Sequence, residues 1–222
     1  MRVQWYGQSA FCLDGEQTTI FIDPFGDISG LAARGVKFEY PPIENVSAEV
    51  LLITHEHPDH NGVEAIGGNP AILRSTAGRL PSPIGEVLAV ASEHDAAAGT
   101  ERGPNTIFVF DLEGTRVCHF GDFGQNSLRE EQAAAIGTPE LLFLPVGGGP
   151  TIDADQAVQI VKRLNPRWVV PMHYRTRRLG FLDTVDAFLE QMPNVHRAPG
   201  SSFETSELAG SDGPLVVVAQ AP

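Results

Sequence analysis

At 222 residues the chain is long enough to bury a substantial core, and its 42% hydrophobic and 19% charged content excludes wholesale disorder. Acidic residues outnumber basic ones, 28 to 15, for a formal charge of -13, which disfavours a general nucleic-acid binder because such a chain repels polyanions. No run of about eighteen apolar residues suggests a membrane span, and Met1–Tyr6 lacks the apolar core and cleavage site of a signal peptide.

No linker divides the sequence, so one domain over residues 1–222 is expected. Cys12 and Cys118 are the only cysteines; both lie in apolar runs without a C-x-x-C pair and read as buried free thiols of a cytoplasmic protein.

Residues 3–6, 10–13 and 18–22 read as a strand meander, with Asp14-Gly15 as a tight turn of positive φ. Asp23-Pro24 ends the third strand and opens a Gly- and Pro-containing loop to residue 44. Asp23 reads equally well as a carboxylate behind a site or as a turn former. The apolar run Val50-Leu51-Leu52-Ile53 then leads into Thr54-His55-Glu56-His57-Pro58-Asp59-His60. Three imidazoles and a carboxylate at this spacing are donors suited to zinc and related divalent ions. Side chains alternate along an extended segment, so His55 and His57 face one point, and Pro58 turns the chain so that Asp59 and His60 face a second. The zincin pattern H-E-x-x-H is excluded, since Asp59 stands where its second histidine would be and Pro58 would break the helix.

Further along, residues 62–66 read as a short helix and 70–73 and 86–91 as strands, the last delivering His94 past its end as a third ligand for the first metal. Asp95 is expected to orient a ligand or to be solvated. Residues 106–112 and 115–120 form a hairpin around Glu113-Gly114, followed by Gly121-Asp122; a carboxylate there can bridge two cations. His119 falls on the other side of its strand and is expected to be buried behind the site. A helix over 128–136 and a strand over 141–146 precede Gly147-Gly148-Gly149-Pro150-Thr151, which lacks the lysine of a phosphate loop and reads as a tight connection. Asp153 and Gln156 form a capping box for a helix whose apolar face is Ala157, Ile160, Val161 and Leu164. The strand Trp168-Val169-Val170 leads to His173, the last ligand, and then to Arg175, Arg177 and Arg178, candidate contacts for an anion. An amphipathic helix over 182–192 and a strand over 215–219 close the chain; His196 has no strand-end setting and is left out of the site.

The series His55-x-His57-x-Asp59-His60, His94, Gly121-Asp122, His173 resembles the metallo-β-lactamase superfamily over nearly the whole chain. Phe21-Ile22-Asp23-Pro24-Phe25 and Pro171-Met172-His173-Tyr174-Arg175-Thr176 are similar to its small metal-dependent hydrolases, including ascorbate-6-phosphate lactonase-like proteins. The resemblance implies an α/β fold, a four-layer αββα sandwich with the site along one edge. It implies two divalent ions, zinc with manganese or iron as alternatives: His55, His57 and His94 on one, Asp59, His60 and His173 on the other, and Asp122 between them. Flavodiiron relatives typically carry Glu at the position of His57, which disfavours redox chemistry. Many members have a histidine in the first turn, where this chain has Gly7-Gln8-Ser9.

Such a pair of ions implies a bridging hydroxide that attacks an ester, lactone, amide or phosphodiester of a small anionic substrate, with Asp59 and Asp122 as the catalytic carboxylates. A nuclease is the rival within enzymes and a catalytically silent metal-binding protein the rival outside them. No membrane partner is expected, and the sequence leaves a homo-oligomer open.

Overall fold

The computed structural model describes residues 1–33, 35–208 and 210–222. Its strands in chain order are β1 (Arg2–Gly7), β2 (Ala10–Asp14), β3 (Thr19–Ile22), β4 (Val46–Ser47), β5 (Val50–Ile53), β6 (Ile66–Gly67), β7 (Ala71–Arg74) and β8 (Gly78–Ser82). They continue as β9 (Gly85–Glu93), β10 (Pro104–Leu112), β11 (Thr115–His119), β12 (Leu141–Pro145), β13 (Trp168–Met172), β14 (Asn194–Arg197), β15 (Ser202–Glu204) and β16 (Leu215–Val218). The α-helices are α1 (Ser29–Ala32), α2 (Glu130–Ile136), α3 (Ala154–Leu164) and α4 (Asp186–Leu189).

A six-stranded sheet has the order β15-β1-β2-β3-β5-β7 and an eight-stranded sheet the order β14-β16-β13-β12-β11-β10-β9-β8. In the first, the antiparallel β1-β2-β3 meander passes into parallel pairing of β3 with β5 and of β5 with β7. In the second, β9, β10 and β11 are antiparallel while β11, β12 and β13 run parallel. The consequence is positional. Within the first sheet β3 and β5 end at the same edge, and within the second β9, β11, β12 and β13 do, so the loops after them collect there, the usual place for a site in such sheets.

The inner faces share one core. Val3, Trp5, Phe11, Leu13, Ile20, Ile22, Val50 and Leu52 of the first sheet pack with Phe108, Phe110, Val117, Phe143 and Val170 of the second. Phe11 and Phe143 meet across the interface with ring centroids 4.5 Å apart. The alternate residues Cys12, Phe21, Leu51 and Ile53 face outward into a second cluster with Phe25, Phe38, Tyr40 and Leu179. Burial on both faces explains why β3 and β5 read as continuous apolar runs rather than alternating ones. Outside the second sheet, α2 and α3 contribute Ile136, Ala157, Ile160, Val161 and Leu164 to the main core. The result is the αββα sandwich, with the layer over the first sheet reduced to the four-residue α1 and the loop around it.

Three expectations are corrected. The 10–22 hairpin forms, but neither Asp14 nor Gly15 takes a positive φ; its loop instead closes with Gly15 N–H donating to Thr18 O at 3.0 Å. The positive angles occur at Glu113 and Gly114, 52° and 80°, as a tight two-residue turn demands. The closing helix is only α4, because residues just before it are tied to the site's loops: Asp183 N donates to Gly147 O at 2.8 Å, and its carbonyl accepts from Arg175 N at 2.7 Å. Strands β8, β14 and β15 were not expected; each lies at a sheet edge or pairs on one side only, with mixed exposure that leaves no clear alternation to read.

Candidate metal centre

The site begins with Asp23 at the end of β3. Its carboxylate, fully buried, accepts from Thr54 N at 2.8 Å and Thr54 Oγ1 at 2.7 Å, and lies 3.0 Å from His60 Nδ1. One side chain therefore fixes the chain leaving β5 and a histidine six residues later. Between them His60 N and Asn61 N both donate to His57 O, a tight turn that starts with Pro58 and swings His60 inward. Glu56 points the other way, paired with Arg74. The alternation read from the sequence holds.

The second sheet supplies the rest. Asp122 follows β11 and its backbone N–H donates to Asn105 Oδ1 at 3.0 Å. Gly121 precedes it at φ 56°, where an added Cβ would lie 2.4 Å from Asn105 Oδ1 and 2.7 Å from Thr54 Oγ1, so no larger residue fits. Gly147 likewise admits the His173 backbone, with His173 O 2.2 Å from where its Cβ would stand.

The donors converge on Asp122. Its Oδ2 lies 3.2 Å from His60 Nε2, 3.2 Å from His94 Nε2 and 3.1 Å from His173 Nε2. His55 Nε2 is 3.0 Å from His57 Nδ1. Donor atoms of His55, His57 and His94 all lie within 4.8 Å of one another, as do those of His55, His60 and Asp122. Asp59, at the rim and partly exposed, puts Oδ2 3.7 Å from His60 Nε2. All seven expected ligands thus meet at one edge of the sandwich.

Behind four of the rings, the second nitrogen is occupied: His55 Nδ1 by Thr54 Oγ1 at 3.0 Å, His60 Nδ1 by Asp23, His94 Nδ1 by the Pro150 carbonyl at 3.2 Å and His173 Nδ1 by Thr151 Oγ1 at 3.3 Å. Partners of this kind orient a ligating imidazole and leave Nε2 facing the metal. His60 Nε2 is buried without a hydrogen bond, a cost that a cation at the centre would remove. The donor set, imidazoles with carboxylates, fits zinc, manganese or iron.

Electrostatics agree with that use at His55, His57 and Asp122. Burial, reinforced by the neighbouring His60, holds the His55 pKa well below its ordinary value, so it presents a neutral ring. Burial also lowers that of His57, helped by His94. Burial works against the Asp122 carboxylate, yet His173 and His60 outweigh it and hold the acid far below the carboxylate range. At His60 burial is outweighed in turn by Asp122, Asp59 and Asp23, which raise its pKa.

Other expected residues lie outside the set of candidate ligands. Asp95 orients no ligand: its carboxylate accepts from the backbone N–H groups of Ala97, Gly99, Glu101 and Arg102 and shapes that loop. His119 is buried behind the site, as expected, with Nε2 3.1 Å from Ser9 O and Nδ1 accepting from Gly121 N. Arg175 and Arg177 are exposed, while Arg178 donates to the carbonyls of Pro222 and Glu39 at 2.7 and 3.2 Å. The sequence reading missed Ser9, whose hydroxyl lies 3.2 Å from Asp122 Oδ1, together with Asn105 and Thr151.

Comparison with known proteins bears on this geometry directly. Residues 2–173 match the family model described as a beta-lactamase superfamily domain. A UPF0173 metal-dependent hydrolase of Thermococcus onnurineus is 30% identical over 199 residues, covering 79% of this chain and 85% of the relative. Another, from Thermococcus kodakarensis, is 29% identical over 207 residues with the same coverage. Among solved structures, a candidate zinc-dependent hydrolase of the metallo-beta-lactamase superfamily from Thermotoga maritima superposes with a TM-score of 0.80 at 31% identity, covering 100% of this chain and 99% of that one. The chain belongs to the metallo-β-lactamase superfamily, among its metal-dependent hydrolases.

Proposed function

We propose that this protein is a dinuclear hydrolase that opens an ester, lactone, amide or phosphodiester bond in a small anionic substrate. The observation that carries the reading is the convergence of His60, His94 and His173 on Asp122 beside the His55–His57 pair, with the outer nitrogens of four rings already occupied. His55, His57 and His94 would hold one cation and Asp59, His60 and His173 the other, with Asp122 shared between them. Zinc is the first choice, with manganese or iron as alternatives. Bound there, the cations supply a water whose pKa falls from 15.7 towards about 7 and offset charge developing on the attacked oxygen.

The chain's own groups do the remainder. Asp59, the most exposed of the carboxylates that face the centre, would carry a proton to the leaving group. Thr54, Pro150, Thr151 and Asp23 keep the rings from turning. Arg175 and Arg177 would contact the substrate's anion, and Arg178, pinned by two carbonyls, would add fixed positive charge. The net charge of -13 supports a small substrate rather than a nucleic acid. The likeness to ascorbate-6-phosphate lactonase-like proteins suggests a phosphorylated sugar lactone as a first candidate. Two buried free thiols suit a cytoplasmic enzyme.

The test is turnover of p-nitrophenyl esters, bis-p-nitrophenyl phosphate and sugar lactones by protein loaded with zinc, then manganese. Hydrolysis of at least one, lost in Asp122→Asn, is the expected result. Activity no higher than that of the variant on every substrate would overturn the reading in favour of a silent metal-binding protein.

A further inference from the structure

Gln8 occupies the turn between β1 and β2 with φ 51°, a left-handed angle that glycine or asparagine adopts far more readily. An outlier of this sort is held in place by its surroundings and directs attention to what the side chain does. Here the backbone is fastened: its carbonyl accepts from Trp5 Nε1 at 3.0 Å and from the His173 N–H at 3.4 Å. The residue is 1% exposed. Its Nε2 reaches Asp59 Oδ2 at 3.5 Å, while Oε1 is buried with no hydrogen-bond partner. The reverse amide orientation would set an oxygen against the Asp59 carboxylate, so this assignment is the favourable one.

Among the described residues only three buried side-chain polar atoms are unpartnered: Gln8 Oε1, His60 Nε2 and Trp168 Nε1. His60 Nε2 faces the centre. Gln8 is bonded on one side to Asp59 and on the other to the backbone of His173, so it stands between two residues that, with His60, make up the second cation position. A neutral amide oxygen is a competent donor to a hard or borderline cation, and burying it unpaired is costly.

We propose that Gln8 is part of the second cation position, clamping Asp59 through Nε2 and offering Oε1 to the cation. This rests on the dinuclear reading above. It makes Gln8 the neutral oxygen in a set otherwise built of imidazoles and carboxylates, and it gives the strained turn a purpose.

Metal-free protein is titrated with zinc and with manganese against a chromophoric chelator, for the wild type, Gln8→Met and Gln8→Glu. Methionine keeps the length of the side chain without the amide, and glutamate replaces the neutral oxygen by a charged one. The wild type should take up two equivalents. Gln8→Met should bind the first as the wild type does and the second at least tenfold more weakly, with the larger loss for manganese, whereas Gln8→Glu should bind the second more than twofold more tightly than the wild type. Melting of the metal-free proteins separates a local effect from misfolding, and if Gln8→Met does not fold, Gln8→Glu decides alone by whether its second affinity departs from that of the wild type. Two equivalents bound by Gln8→Met within twofold of the wild type, or by a sole surviving Gln8→Glu within twofold, would overturn this proposal and leave the dinuclear reading standing. Fewer than two equivalents in the wild type would overturn both.

Discussion

The two sheets deliver their halves of the site by the same device with different chemistry. At the edge of the first, the Asp23 carboxylate engages Thr54 N, Thr54 Oγ1 and His60 Nδ1. At the edge of the second, the Asn105 amide donates to Ser92 Oγ and the Phe120 carbonyl, both at 2.8 Å, and accepts from Asp122 N. Each is one buried polar side chain making three contacts in otherwise apolar surroundings. The difference lies in what they touch. Asp23 is a carboxylate and meets the His60 ring, so it acts on that ring's basicity and orientation; Asn105 is an amide and meets only backbone and a hydroxyl, so it acts on where Asp122 stands. The halves are stitched together by Thr106 N on Thr54 O, Ser9 Oγ on Asp122 and His119 on Ser9 O.

The strongest break is at the point where the halves meet. Asp122→Asn keeps the shape but removes the charge that three imidazoles share. Metal affinity should fall by more than about 100-fold, beyond the range seen when a residue behind a ligand is changed. Equilibrium dialysis with zinc measures it; a fall under tenfold would mean that the two halves bind cations independently of Asp122.

His119 tests the stitching. Burial is the main reason its pKa drops, to about 4, so it is neutral in the folded protein, while an unfolded histidine takes a proton near 6.5. Between those values the unfolded chain binds more protons, so the contribution of neutral His119 is complete above pH 6.5 and is lost as pH falls towards about 4. The loss is on the order of 3 kcal/mol for a shift of this size. In His119→Gln, which can still donate to Ser9 O and accept from Gly121 N, the metal-free protein should lose less stability across that window. Urea melts at several pH values decide, and parallel curves for the two proteins would remove His119 from the account.

Asp23→Asn and Asn105→Ala sharpen the contrast itself. The first should weaken metal binding about 10- to 100-fold, the usual consequence of altering a partner behind a ligand. The second strands Asp122 N and the Phe120 carbonyl, and should cost about 2 kcal/mol of stability with a smaller change in affinity. Measured side by side by chelator competition and urea melts, the two variants should rank in opposite order on the two scales. The same order on both would mean that charge and position are not separable here.

Much of this was legible beforehand because strand ends announce themselves. An apolar run followed by His55-Glu56-His57-Pro58-Asp59-His60 needs only the period of a strand to be read, and His94, Asp122 and His173 each follow such a run. The residues behind them carry no such signal. Ser9 and Thr151 sit in loops, where a hydroxyl is commonplace, and only folding brings Ser9 to a carboxylate 113 positions away. Asn105 did leave a trace, as a polar residue at the head of an apolar strand. Asp95 shows the opposite failure: nearness to His94 in sequence suggested service to it, but four backbone N–H groups of its own loop claimed the carboxylate first. The closing helix failed for a related reason, since its periodicity was real but the backbone around Asp183 was already committed to Gly147 and Arg175.

The smallest expected effect belongs to Thr151, which meets His173 through one hydroxyl at 3.3 Å. The contact is neutral and long, and Thr151 Oγ1 also donates to Gly148 O at 3.2 Å, so the hydroxyl is divided between holding the ring and closing the loop. Thr151→Val keeps the shape and removes both bonds. A neutral hydrogen bond contributes about 0.5–1.5 kcal/mol, so zinc affinity should weaken by about tenfold at most, well short of Asp23→Asn, where the partner is charged. Chelator competition on the two variants makes the comparison. Equal losses would mean that filling the outer nitrogen matters and the charge that fills it does not, which would undo the distinction between the two halves.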